Sequence, residues 1–223
     1  MIADVAIDAA RAVADEIGDQ ADAVVLDVRD ESQVEAAVAA TVTRFGHLDL
    51  AVNSAGLGVF GPITELALDQ WNLCVDVCLT GVFLSTKHEA RAMTAHGSGV
   101  IVNLASINSF VPADGMVAYC AAKAGVAMLT QTAGMELAAS GVRVVALAPG
   151  YVETPLTGFA RTVPQLHDAY VESIPIGRAG QPDDVAALAA FLASDDASWI
   201  TATTITVDGA ESTKSYPVFR NLM

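Results

Sequence analysis

Short apolar runs of strand length alternate with longer segments of helical period along this chain, and that alternation restricts the fold more than any other feature. It implies βα units around a mostly parallel sheet, an α/β fold class. The expected strands are 23–27, 48–53, 99–105, 142–148 and 203–207. Helical segments at 8–17 and 32–45 start on polar residues and stop at Gly18 and Gly46, as capped helices do. Two longer ones, 69–96 and 115–139, precede the third and fourth strands, and Pro182 with Asp183 and Asp184 opens a final helix. The stretch 151–178 carries Pro155, Pro164 and Pro175 between apolar clusters, which predicts an excursion of short helices above the strand ends.

At 223 residues and 53% hydrophobic content the chain is sized for one core, so a single domain over 1–223 is expected. A net charge of −15 argues against a nucleic-acid partner, which calls for clustered Lys and Arg. The 11 basic residues form no stripe facing a membrane, and no apolar stretch approaches the ~20 residues of a span. Met1 is followed by Asp4 without the basic start and apolar run of a signal peptide. Cys74, Cys78 and Cys120 make neither a CxxC pair nor an even disulfide set, so a cytoplasmic location fits best.

In an open parallel sheet, ligands collect beyond the carboxyl ends of the strands. The loops there follow Asp27, Asn53, Ala105 and Ala148, and all are small and polar or glycine-bearing. Tyr119 and Lys123 stand at i and i+4 on a predicted helix, so they share a face. A phenol is a poor base at neutral pH, and a nearby ammonium favours its ionised form. Ser106, thirteen residues before Tyr119 at a strand end, is placed to hold a substrate oxygen while the phenol exchanges a proton. Taken alone, the Tyr/Lys pair also matches an ordinary helix surface.

The order Asn53-Ser54-Ala55-Gly56, Ser106, Tyr119-x-x-x-Lys123 and Pro149-Gly150-x-x-x-Thr154 resembles the short-chain dehydrogenase/reductase family. Asp27-Val28, the run from Ile174 to Ala186, and Val207-Asp208-Gly209 extend the likeness from Met1 to about Ala210. The resemblance implies a Rossmann-like doubly wound sheet and hydride transfer between a nicotinamide cofactor and a secondary alcohol or ketone. It implies Tyr119 as acid/base, Lys123 as the residue that lowers its pKa and holds the nicotinamide ribose, and Ser106 as the substrate-oxygen anchor. By the same likeness Asp27 and Val28 match adenine-side contacts, and Asn53, Ala55 and Gly56 line the cofactor cleft. Pro149, Gly150, Val152 and Thr154 match the turn beside the nicotinamide. Asp4 matches the acidic residue ending the family's second strand, which bonds the ribose hydroxyls and favours NAD over NADP. The family also implies a homotetramer or homodimer paired along long helices.

The sequence departs from the family pattern at its start, where the first strand, the TGxxxGxG turn and the first helix, about thirty residues, have no counterpart. That leaves the fold N-terminally incomplete and removes the element that binds pyrophosphate. It also removes a central strand, so the sheet is expected to close up, to hold 23–27 poorly, or to be completed by further residues. A misassigned start or a truncated chain accounts for this more simply than an evolved loss. Cys78 stands where the family has an Asn that completes a proton relay, so reduced rather than abolished chemistry is expected. Ala202 and Ala210 replace common glycines, changes expected to be tolerated. Together these departures keep a second reading open: a non-catalytic subunit that binds no nucleotide and acts by association. His47, His88, His96 and His167 show no metal-ligand spacing, so no metal is expected.

Overall fold

The computed structural model describes residues 1–213; the side chains of Phe159 and Arg161 lie outside that description. The strands are β1 (Ile2–Asp4), β2 (Ala23–Val25), β3 (Leu50–Asn53), β4 (Gly99–Leu104), β5 (Val142–Pro149) and β6 (Thr203–Val207). All pairings are parallel, and they form two sheets: β1 beside β2, and β3-β4-β5-β6. The sheet has therefore not closed up. Among the described residues β1 has no hydrogen-bonded strand neighbour but β2, β3 has none but β4, and a slot of about 240 Å³ lies between them.

Alternation along β4 and β5 fixes which face meets which helix. Ile101 and Val144 face α4 (Gly81–His96) and α5 (Val117–Leu137), packing with Met93 and Ala133. Val100, Val102, Val145 and Leu147 face the other way, onto Leu188 and Leu192 of α8 (Pro182–Ala193). Both faces are covered, which explains the near-continuous apolar runs of these strands. Asn103 is the polar exception on β4. Fully buried, it accepts from Asn53 Nδ2 at 2.9 Å and donates to Thr130 Oγ1 at 3.0 Å, tying β3, β4 and α5 together.

The first two helices are α1 (Ile7–Ile17) and α2 (Glu31–Phe45). Asp30 caps α2 by accepting from the amides of Ser32 and Gln33. The segment expected as one helix over 69–96 runs through α3 (Leu68–Val75), a π-helical turn (Asp76–Thr80) and α4. The 151–178 excursion holds α6 (Gly158–Arg161) and α7 (Pro164–Ser173), with proline at the start of the second. Asp184 closes a capping box on α8 and pairs in a bidentate fashion with Arg178 at 2.7 and 2.8 Å, so it serves as a helix-start acid. No helix among the described residues is long and apolar enough to cross a membrane.

Candidate active site

β4 ends at Leu104, and Ser106 follows in extended backbone, its hydroxyl accepting from the Asn108 amide at 3.1 Å. The Ser109 hydroxyl then donates to the Lys123 carbonyl at 2.8 Å and pins this turn to α5. Tyr119 and Lys123 lie on the first turns of α5, on the side that meets the strand end. The three side chains converge on one wall of a cavity of about 730 Å³. Ser106 and Lys123 are buried, the latter with 3% exposure.

The electrostatics differ from the sequence expectation. Burial pushes the Tyr119 phenol up to about 12, opposed by its hydrogen bond with Ser106, and the Lys123 ammonium is not among the causes of the shift. The Lys123 Nζ instead donates to the Leu104 carbonyl at 2.5 Å and lies 5.6 Å from the centre of the Tyr119 ring. Its own pKa is lowered, first by desolvation. Burial is the largest cause of the shift, and the cation expected to acidify the phenol does not counter it.

The expected cofactor residues fall into two adjoining cavities and one exception. Gly56, Pro149, Gly150, Val152 and Thr154 line the 730 Å³ cavity with the trio. Asp27, Val28 and Ala55 line a neighbouring one of about 420 Å³, and Asp4, Ser54 and Gly56 border both. Gly150 is required by space: a Cβ there would collide with the Glu211 carboxylate and lie 2.8 Å from the Asp208 Cβ. Asp27 is held by Arg29, with Nη2 at 2.5 Å from Oδ2, and this pair brings its carboxyl down to about 2. Asn53 is the exception. Its amide turns into the protein, donating to Asn103 and to Glu89 Oε2 at 2.9 Å, and it borders the slot between the sheets instead of the cavity of the trio.

Cys78 sits in the π-helical turn, fully buried, its sulfur 3.4 Å from both the amide nitrogen and the carbonyl oxygen of Leu57. The thiol therefore clamps the loop after β3. Cys74 points at the same carbonyl, and burial raises its pKa to about 12, so it is inert as a nucleophile. Sequence reasoning missed three contributors: Asn108, the Leu104 carbonyl, and Glu211, which accepts from the Tyr151 amide at 2.7 Å beside the apolar end of the cleft. Only Asn108 left a signal, as a turn-forming residue two places after Ser106.

The family model described as enoyl-(acyl carrier protein) reductase matches residues 1–210. The chain belongs to the short-chain dehydrogenase/reductase family. Among its relatives, a cyclohexanol dehydrogenase of Acinetobacter sp. (strain SE19) is 40% identical over 96% of this chain and 85% of its own length. A gluconate 5-dehydrogenase from Burkholderia cenocepacia J2315, solved with NADP and tartrate, superposes with a TM-score of 0.90 at 33% identity, covering 95% of this chain and 84% of that one. A 3-ketoacyl-(acyl-carrier-protein) reductase from Brucella melitensis, complexed with NADH, superposes at 0.86 with 38% identity, covering 94% and 86%. Membership in this family makes the chain a dehydrogenase/reductase with a Rossmann-like α/β fold.

Proposed function

We propose that this protein transfers hydride between NAD(H) and a secondary alcohol or ketone, with Tyr119 as acid/base, Ser106 holding the substrate oxygen and Lys123 holding the nicotinamide ribose. The observation that carries this reading is the convergence of those three side chains on the wall of one cavity shared with Gly56 and the Pro149–Thr154 turn. The cleft fits a dinucleotide in part: two adjoining cavities with an acid at their shared border and a glycine that leaves no space for a side chain. Gly56 and Gly58 follow β3, but α3 opens only at Leu68, so they are not the glycine turn of a pyrophosphate site. The cofactor, when bound, supplies the hydride acceptor or donor. Ser106 donates its hydroxyl hydrogen to the substrate oxygen, and Tyr119 takes the alcohol proton or returns it to the ketone.

Asp4 supports NAD over NADP, because a carboxylate there bonds ribose hydroxyls and repels a 2′-phosphate. Arg29 borders the same cavity, but its guanidinium is occupied by Asp27. Beyond Tyr119 the cleft continues into a pocket of about 360 Å³ bordered by Phe60, Ile107, Val111, Met116 and Leu156, which suits a lipophilic, medium-sized alcohol such as an alicyclic one. Three unpaired cysteines fit a reducing cytoplasm, and a homodimer or homotetramer is the assembly we expect.

The slot between the two sheets and the engagement of Cys78 by Leu57 favour the other reading, an associating subunit without nucleotide. Titration of the 223-residue chain with NADH and NADPH separates the two. Saturable fluorescence change with NADH, weaker with NADPH, supports the enzyme, and no binding at millimolar NADH overturns it for this chain.

A further inference from the structure

We infer that His47, Asp49 and His96 form a binding site for one divalent transition-metal cation of the zinc class, at the amino-terminal end of β3. The fold brings these residues together from three backbone positions. His47 follows the end of α2, Asp49 directly precedes β3, and His96 is the last residue of α4. Each position is fixed by a main-chain hydrogen bond: Gly46 to Val42, Val100 to the Asp49 carbonyl, and Gly97 to Met93, all at 2.8 Å. The two imidazoles stack with centres 4.7 Å apart and planes 9° from parallel. His47 Nε2 lies 3.1 Å from Asp49 Oδ1, and one ligand atom from each of the three residues lies within 4.8 Å of the others.

Zinc at about 2.0–2.2 Å from each ligand sets neighbouring ligand atoms roughly 3.0–3.6 Å apart. The His47–Asp49 pair already meets that spacing, and rotation of the exposed His96 ring, which splays the stack, closes the third. Two imidazole nitrogens and one carboxylate select Zn²⁺, Co²⁺ or Ni²⁺ over Mg²⁺ and Ca²⁺, which prefer oxygen alone. The carboxyl-terminal end of the α4 dipole and a net charge of −15 both favour a cation here. All three residues are exposed, so water fills the remaining coordination positions. The site lies a strand length, roughly 13 Å, from the carboxyl end of β3, so the metal ties the α2–β3 turn to α4 and does not enter the hydride-transfer cavity.

The test is calorimetric titration of the full chain, free of any affinity tag, with zinc chloride and with magnesium chloride. One Zn²⁺ per chain is expected, undisturbed by excess Mg²⁺, with a rise in thermal midpoint that grows with zinc concentration. His96→Ala weakens zinc at least tenfold and the double variant His47→Ala/His96→Ala abolishes binding, while Cys74→Ser/Cys78→Ser leaves it unchanged. Circular dichroism verifies that the histidine variants keep the fold. Absence of binding at millimolar zinc, affinity unaffected by the double histidine variant, or loss confined to the cysteine variant overturns the site.

Discussion

The phenol of Tyr119 shows how burial can reverse a pairing argument. With its pKa raised to about 12, the group is protonated through neutral pH and ready to donate to a ketone, whereas alcohol oxidation needs the phenolate. Oxidation kcat/KM is therefore expected to rise with pH from 7 to 10 while reduction stays level, and initial rates in both directions check it. Tyr119→Phe should lower kcat by about 10²–10⁴-fold in either direction, and a rate within threefold of the parent would refute its role as acid/base. Glu89 is a second buried titratable group: its carboxyl borders the slot and accepts from Asn53, and burial raises it to about 7. A carboxyl raised on folding contributes stability below about pH 4.5 that is lost as pH rises toward 7. Glu89→Gln should consequently stabilise the protein above pH 7, by up to about 3 kcal/mol, and little at pH 4.5, as urea titrations at the two pH values would measure. Ala210 is held at φ 71°, a left-handed conformation that costs an L side chain about 1–2 kcal/mol. Allowing for the greater chain entropy of glycine, Ala210→Gly should gain about 0.5–1 kcal/mol, read as a raised denaturation midpoint.

At the level of elements, α5 carries Tyr119 and Lys123 and packs closely against the chain entering β6. A Cβ on Gly134 would lie 2.7 Å from the Ala202 backbone, so Gly134→Ala should cost about 1–3 kcal/mol, seen as a lower thermal midpoint. The two sheets also differ in support. β4 and β5 are paired on both sides and buried, whereas β3 presents one edge to the slot and Val52 is 45% exposed. Amide exchange should accordingly be slowest at 100–104 and 142–148 and markedly faster along β1 and β2, and equal protection across all six strands would contradict the division into two sheets.

For the whole molecule, the two long helices are where we expect an assembly to form. Phe83 on α4 and Met128 and Met135 on α5 are large apolar side chains left 49%, 61% and 70% exposed, and the two methionines share one helix face at i,i+7. Light scattering on the eluting protein is expected to give a dimer or tetramer, and Met128→Lys with Met135→Lys to shift it toward monomer. A parent protein that is already monomeric at tens of micromolar would refute the expectation.

Sequence alone established the class of fold, and it singled out the three residues that the structure brings to one cavity. Apolar alternation is local, so β6 falls where expected and β5 within a residue of it, and α8 opens at Pro182 as expected. Ser106, Tyr119 and Lys123 were legible because a strand end and an i,i+4 helical spacing place side chains without knowledge of distant neighbours. What depends on desolvation and long-range contact was not legible. The upward shift of Tyr119, the turn of Asn53 toward Glu89 and Asn103, the thiol clamp on Leu57 and the meeting of His47 with His96 each join groups far apart in the chain. The same holds for the break between β1 and β3: only the packed structure decides that the two sheets stay apart instead of closing up.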